Sequence, residues 1–383
     1  MIHVHQVNLQ LAVGGGEIYT RWFTRALAQS GAFVTLYVHR SNRFWEGLSG
    51  DRIQVVGVES AAEIERQLPS RRSLILSQSR LPDRLADLAS RNHVLTGFAH
   101  MPMLGRSAKG FARYAVVFTV SDYCIGLLRK AGIRQVYPAP LYGTYSLDRA
   151  PPQNAGSAIL AASPFHWDRR KGRDRVLSAL EPLARAFLPR RTFTQRSGLT
   201  LGIVSLLSPI KQFPALFEVL APHIARFPQV NLEIFGNGGY AQVRDIRRAL
   251  VPVSGNVRFW GFQSDVQTIY TRLDYLITGL PEKEALGLNA LEAQALGTPV
   301  LAPDAPPFTE TIVHGRTGFL YRDPRADGGR DFALLLESLV HGRPRPDPRD
   351  AVEHLGKFSY DAMVRRSRDM LLAIEQQFPE LRG

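Results

Sequence analysis

Residues 2–38, IHVHQVNLQLAVGGGEIYTRWFTRALAQSGAFVTLYV, read as strand, glycine loop, helix and strand. Ile2 to Leu9 is rich in β-formers, and Gly14-Gly15-Gly16 breaks the run. From Glu17 to Gln29, Ile18, Trp22, Ala26 and Leu27 recur at helical spacing. Gly31 ends that helix, and Phe33 to Val38 is the next strand. This βαβ unit is the building block of a doubly wound parallel sheet.

The pattern continues along the chain. Short apolar runs at 53–58, 73–77, 93–98 and 116–120 extend the first sheet. Residues 1–145 are therefore expected to form one Rossmann-like domain. Residues 146–198 break the rhythm with Pro151, Pro152, Pro164, Pro182 and Pro189, and carry ten basic residues against four acidic ones. They read as a basic linker or insertion with a helix near Val176 to Phe187. A second α/β series fills 199–358, with strands at 199–206, 230–235, 257–260, 275–278 and 299–302. Residues 359–383 read as a C-terminal helix. The expected fold is α/β, with two Rossmann-like parallel-sheet domains facing a cleft. Ligands of such sheets bind beyond the carboxyl ends of the strands, so the loops that follow strands are where chemistry is expected.

Composition narrows the class. The chain has 383 residues, 45% hydrophobic and 21% charged, which is ordinary for a globular protein and excludes a disordered or fibrous one. The net charge of +13 points to an anionic partner, or else to many solvated arginines. No aromatic–basic interleaving supports a nucleic-acid partner, and none is expected. An anionic membrane surface stays open. The one cysteine, Cys124, sits in an apolar stretch and fits a buried thiol in a reducing, cytoplasmic compartment. No signal-peptide pattern and no run long enough to span a bilayer are evident. No Asp-x-Asp pair or His/Cys cluster has metal-ligand spacing, so no metal and no cofactor are expected.

The chemistry concentrates between Glu284 and Glu292, eight positions apart. Gly287, Leu288 and Asn289 lie between them, and a helix-forming run follows. Asn289 is a candidate N-cap. The amides around Gly287 to Ala290 would then form an anion site at a helix N-terminus, suited to a diphosphate. The carboxylates repel phosphate and suit hydroxyls: Glu284 a sugar, Glu292 a ribose diol. On spacing alone, acids that merely complement a helix dipole are equally compatible. Lys211, after the strand at 199–206, supplies a point charge for a diphosphate.

With its surroundings, this segment resembles the E-x7-E signature of family 4 retaining glycosyltransferases of the GT-B fold. Gly297 to Ala302 resembles the family's G-x-P-V strand, and Glu310 with Thr317 to Leu320 its tail. Gly236-Asn237-Gly238 resembles the G-x-G turn, and Trp260-Gly261-Phe262 the loop that meets the nucleotide base. In the first half, Gly14-Gly15-Gly16-Glu17 resembles the G-G-x-E loop, and His100 matches the cleft histidine. One departure is plain: the family usually has Arg five positions before the lysine, and this chain has Leu206.

The resemblance implies a metal-independent transfer of sugar, with retention, from a nucleoside-diphosphate sugar to a saccharide or lipid-linked saccharide acceptor. Bacterial lipopolysaccharide or surface polysaccharide assembly, at the inner face of the plasma membrane, is the setting it implies. His100, Lys211 and Glu284 would be catalytic, with His100 contacting the donor sugar and not acting as a general base. Gly15, Gly16, Gly236, Asn237, Phe262, Gly287, Leu288, Asn289 and Glu292 would bind the donor. Two other readings stay open: an impaired GT-B protein that binds a nucleotide sugar, and a GT-B nucleotide-sugar epimerase.

Overall fold

The computed structural model describes residues 2–11, 13–105, 107–143, 158–167, 172–186 and 191–381. Its apolar runs form two six-stranded sheets. The first contains β1 (His3–Asn8), β2 (Phe33–His39), β3 (Ile53–Val58), β4 (Leu74–Ser77), β5 (Val94–Ala99) and β6 (Val116–Thr119), in the order β3-β2-β1-β4-β5-β6. The second contains β7 (Leu199–Val204), β8 (Val230–Phe235), β9 (Val257–Gly261), β10 (Tyr275–Ile277), β11 (Val300–Pro303) and β12 (Gly318–Tyr321), in the order β12-β11-β10-β7-β8-β9. Every ladder between these strands is parallel. β4, β5, β6, β8 and β11 are buried along their whole length, which explains their continuous apolar character.

Each sheet reverses its winding once. In the first, the chain leaves β1 toward β2 and β3, then returns to lay β4 on the other side of β1. In the second, the same reversal separates β7 from β10. At such a switch point adjacent crossovers diverge and leave a crevice at the carboxyl ends.

The chain divides into two units, 1–146 with 356–383, and 147–355. The first includes the C-terminal helix Tyr360–Gln377, which the sequence set apart at 359–383. This helix packs on Gly15–Gln29: Trp22 meets Tyr360 edge-on at 5.6 Å, and Ser30 Oγ donates to the Val364 carbonyl at 2.9 Å. Its buried Met363, Val364, Met370, Leu371 and Ile374 each contribute on the order of 2 kcal/mol of burial free energy. Periodicity identified the helix but carried no information about its partner.

The described parts of 146–198 belong to the second unit. Phe193 and Ile159 are buried with Phe235 and Trp260 in its core. Ala162 N–H donates to the Trp260 carbonyl at 2.7 Å, and Phe165 pairs with Gly238 as a parallel bridge. This stretch therefore extends the sheet edge beside β8 and β9 rather than standing apart. The helix there spans Gly172–Ala186, and Arg169, Arg170 and Lys171 of the basic run lie outside the described residues. Cys124 is buried and forms no disulfide.

Candidate functional site

In the second unit the site is built on the switch point. Lys211 follows β7 and Glu284 follows β10, and their side chains form an ion pair across it. Backbone contacts fix the lysine. Lys211 N–H donates to the Ser208 carbonyl at 3.1 Å, and the Lys211 carbonyl accepts from Leu280 N–H at 3.1 Å. A Cβ on Gly279 would lie 2.0 Å from that carbonyl, so glycine is required there by close approach. Gln212, held at φ 54, turns the chain into the helix Phe213–Ile224, and its Nε2 donates to Glu282 Oε2 at 2.9 Å.

Glu284 also organises the next turn. Its Oε1 accepts from the N–H groups of Ala285 at 3.3 Å and Gly287 at 3.2 Å. The helix after it is Leu288–Ala295, and its N-cap is Gly287 at φ 83, not Asn289. The reason is steric: the cap adopts a left-handed conformation that favours glycine. Asn289 instead sits in the first turn and donates Nδ2 to the Val204 carbonyl at 3.2 Å, tying the helix to the end of β7. The Gly287 amide, expected to be open to a diphosphate, is already held by Glu284. The N–H groups of Leu288 and Asn289 carry no hydrogen bond among the described residues. Glu284 likewise spends its oxygens on Lys211 and two amides, where the sequence assigned it to a sugar hydroxyl.

Glu292 lies one turn into the helix. Burial raises its carboxyl to about 7, against the opposing influence of a 2.9 Å hydrogen bond from Tyr270 Oη and the charge of Lys211. The loops after β8 and β9 complete this end of the sheet. A Cβ on Gly236 would lie 1.8 Å from the Ser205 carbonyl, and one on Gly238 would lie 2.2 Å from that of Leu207. Leu207 N–H donates to the Asn237 carbonyl at 2.8 Å, and Gly236 N–H to that of Gly261 at 2.7 Å. The G-x-G turn thus serves close backbone packing. Phe262, just after β9, is 60% exposed, and Leu206, just after β7 on the other side of β8, is 50% exposed.

The first unit has its own cluster at the β1/β4 switch point. The helix begins at Gly15, two residues earlier than its apolar periodicity. Buried Glu17 accepts from Gly14 N–H at 2.9 Å and fixes the glycine turn. His100, following β5, comes within 3.8 Å of where a Cβ on Gly16 would sit. Its ring stacks on Phe98 at 4.5 Å and meets Tyr19 edge-on at 5.2 Å. Burial lowers its pKa to about 3, so the imidazole is neutral. His100 Nε2 lies 2.7 Å from Gln78 Oε1.

Of the sequence-selected residues, the second unit thus brings together Lys211, Glu284, Gly287, Leu288, Asn289 and Glu292, with Gly236, Asn237 and Phe262 on adjoining strand ends. The first unit brings together Gly16 and His100, with Gly15 opening the helix beside them. Sequence reading missed Gln78, Tyr270 and Gly279. For Gln78 a signal existed: a polar residue directly after the apolar strand 74–77. Tyr270 lies in the short helix Val266–Tyr270 and Gly279 just after β10, and neither carries a local sequence signal. Among the described residues no three His, Cys, Asp or Glu side chains form a metal-holding group, and no helix is long and apolar enough to cross a membrane.

Two doubly wound parallel sheets, with charged groups and helix amides at a switch point, define a protein of the GT-B type. Solved structures share this fold. Anabaena Alr3699/HepE in complex with UDP and glucose superposes with a TM-score of 0.68 at 14% identity, covering 97% of this chain and 100% of that one. The lipopolysaccharide outer core galactosyltransferase WaaB gives 0.63 at 14% identity, covering 96% and 99%. Residues 190–353 match the family model described as glycosyl transferases group 1. Similar curated proteins include the D-inositol 3-phosphate glycosyltransferase of Corynebacterium efficiens, 29% identical over an alignment of 226 residues, with 53% of this chain and 51% of the relative covered. The lipopolysaccharide core biosynthesis glycosyltransferase LpsE of Rhizobium meliloti is 31% identical over 154 residues, 39% of this chain and 43% of the relative. The chain thus spans about half the length of the curated relatives it matches, or less.

Proposed function

We propose that this chain is a family 4 glycosyltransferase that moves a sugar from a nucleoside diphosphate to an acceptor hydroxyl, without metal and with retention. The observation that carries the reading is the Lys211–Glu284 pair beside the N-terminus of helix Leu288–Ala295. A departing diphosphate gathers negative charge, and preorganised donors aimed at it lower the barrier. Lys211 Nζ and the open amides of Leu288 and Asn289 are such donors. A bound diphosphate competes with Glu284 for Lys211. Glu284, released from the lysine, then accepts from the sugar hydroxyls. Glu292 accepts from the ribose diol, and His100 is assigned to a hydroxyl of the reacting sugars. Calorimetric titration with UDP-, GDP- and ADP-sugars tests the reading. One of them should bind, and Lys211→Met should weaken it by about tenfold or more, the loss of a charge-assisted hydrogen bond. No binding across the panel sinks the proposal.

The proposed acceptor is a saccharide or lipid-linked saccharide of bacterial surface-polysaccharide assembly, met at the inner face of the plasma membrane. Supporting it are the similarity to LpsE and the charge of +13. Helix Gly172–Ala186 adds that Val176 and Leu180, one turn apart, are exposed beside Arg173 and Arg175. A basic helix with an apolar stripe suits an anionic leaflet, where each cation contributes about 1 kcal/mol. Sedimentation with anionic vesicles at low salt should carry the protein down. A supernatant that keeps it all refutes the membrane part alone.

A further inference from the structure

Gln78 occupies a position that the readings above leave unused. It directly follows β4, at the switch point beside β1, and is only 4% exposed. Its backbone N–H donates to the Val7 carbonyl at 2.9 Å, which fixes it against β1. Its side-chain oxygen faces His100 Nε2 at 2.7 Å. Its side-chain nitrogen is buried and has no hydrogen-bond partner among the described residues. An amide this deep with one end idle is costly, typically about 1–3 kcal/mol. Such a group calls for a ligand.

We infer that Gln78 is a positioning residue that fixes His100 in the Nε2–H form, so that Nδ1 is presented as a hydrogen-bond acceptor for a hydroxyl of the reacting sugars. The argument is one of valence. An amide oxygen only accepts, so the ring nitrogen opposite it must carry the proton. A neutral imidazole has one proton, which leaves Nδ1 with a lone pair. Nδ1 has no partner among the described residues. The idle Gln78 nitrogen lies on the Nε2 side of the ring, so it is left for a second polar group of the ligand and not for the hydroxyl at Nδ1. The group recognised is therefore a hydroxyl rather than a carboxylate or a phosphate, neither of which has a proton to give. This inference rests on the proposed sugar transfer for its ligand, but not for the tautomer.

Among the described residues, burial alone shifts His100, with no charged group contributing. From helix Gly15–Gln29, His100 faces Gly16 and Tyr19, and from β5 it faces Phe98. Tyr19 is the titratable group among these neighbours, and its hydroxyl donates to the Leu141 carbonyl at 3.0 Å. Glu17, on the same helix, is occupied by Gly14 N–H.

The test reads the histidine ring nitrogens by NMR in the full chain, with His100 assigned by the signal lost in His100→Gln. The wild type should show a neutral, Nε2-protonated ring throughout about pH 5 to 8. Gln78→Leu should release the ring to a mixture of both neutral forms. Gln78→Glu, similar in size, should place a carboxylate against the N–H and bring a titration into that same range, because an opposite charge favours the imidazolium. An Nδ1-protonated ring in the wild type overturns the inference. So do variants that leave form and titration unchanged while circular dichroism stays native. Once a donor is known, Gln78→Leu should lower kcat/KM by about three- to tenfold; an unchanged value with a shifted tautomer refutes the sugar contact. The tautomer is read without any nucleotide sugar, so failure to find a donor refutes the proposed reaction and leaves this measurement standing.

Discussion

Replacing Glu292 by Gln should change the pH dependence of stability in a direction opposite to ordinary acid unfolding. Burial moves this carboxyl from about 4.5 to about 7. That displacement corresponds to about 3 kcal/mol of penalty on the ionised form. Between these values the folded chain holds a proton that the unfolded chain has released. Unfolding then loses a proton, so this contribution to stability is fully present below about 4.5 and is lost as pH rises through about 7. The amide that Glu292→Gln introduces would still accept from Tyr270 and would not titrate. The stability of Glu292→Gln relative to wild type should thus rise by about 2 kcal/mol between pH 5 and pH 8. Urea unfolding at the two pH values measures it. His5 and His100, both lowered to about 3 by burial, act the other way, since stability is lost as acid protonates them. Both chains share those histidines, so they cancel in the difference. A relative stability that is equal at pH 5 and pH 8 would falsify the idea that burial of Glu292 holds a proton on the folded chain.

Two further substitutions probe the switch point from different sides. Leu206→Arg restores the cation that the resemblance expects, at a residue already 50% exposed, and should tighten nucleotide-sugar binding about tenfold in calorimetry; unchanged affinity would mean that position 206 does not reach the diphosphate. Gly279→Ala puts a methyl 2.0 Å from the Lys211 carbonyl and should lower stability by about 1–3 kcal/mol in urea unfolding while displacing Lys211; native stability would show that the loop yields freely.

Much of the architecture was legible because it depends on local pattern. Strand 230–235 has the bounds its apolar run suggests, and the glycine turn at 14–16 opens the helix it announces. β12 went unread as a strand because three of its four residues were absorbed into a motif, Thr317 to Leu320, and four residues give no periodicity to count. The place of the C-terminal helix was unreadable for a different reason. Its apolar stripe states that something covers it, but not that Trp22, some 340 positions away, does.

The site shows the same limit more sharply. Sequence reading took Lys211 as a cation awaiting phosphate and Glu284 as an acid awaiting a sugar. The fold joins them across the β7/β10 switch point, where each neutralises the other. A free lysine would offer its whole charge to a ligand. A paired one would offer it only in exchange for releasing a carboxylate, so the proposed binding of a diphosphate and the freeing of Glu284 would be one event. With Leu206 in place of a second cation, that exchange rests on Lys211 and the open amides of Leu288 and Asn289. The same pairing gives the ligand-free site little net charge, which avoids leaving a half-buried ammonium unpaired. On this argument, the grip between Glu284 and Glu292 is a switch that the donor itself completes, and Lys211→Met should remove the diphosphate contact and the coupling together.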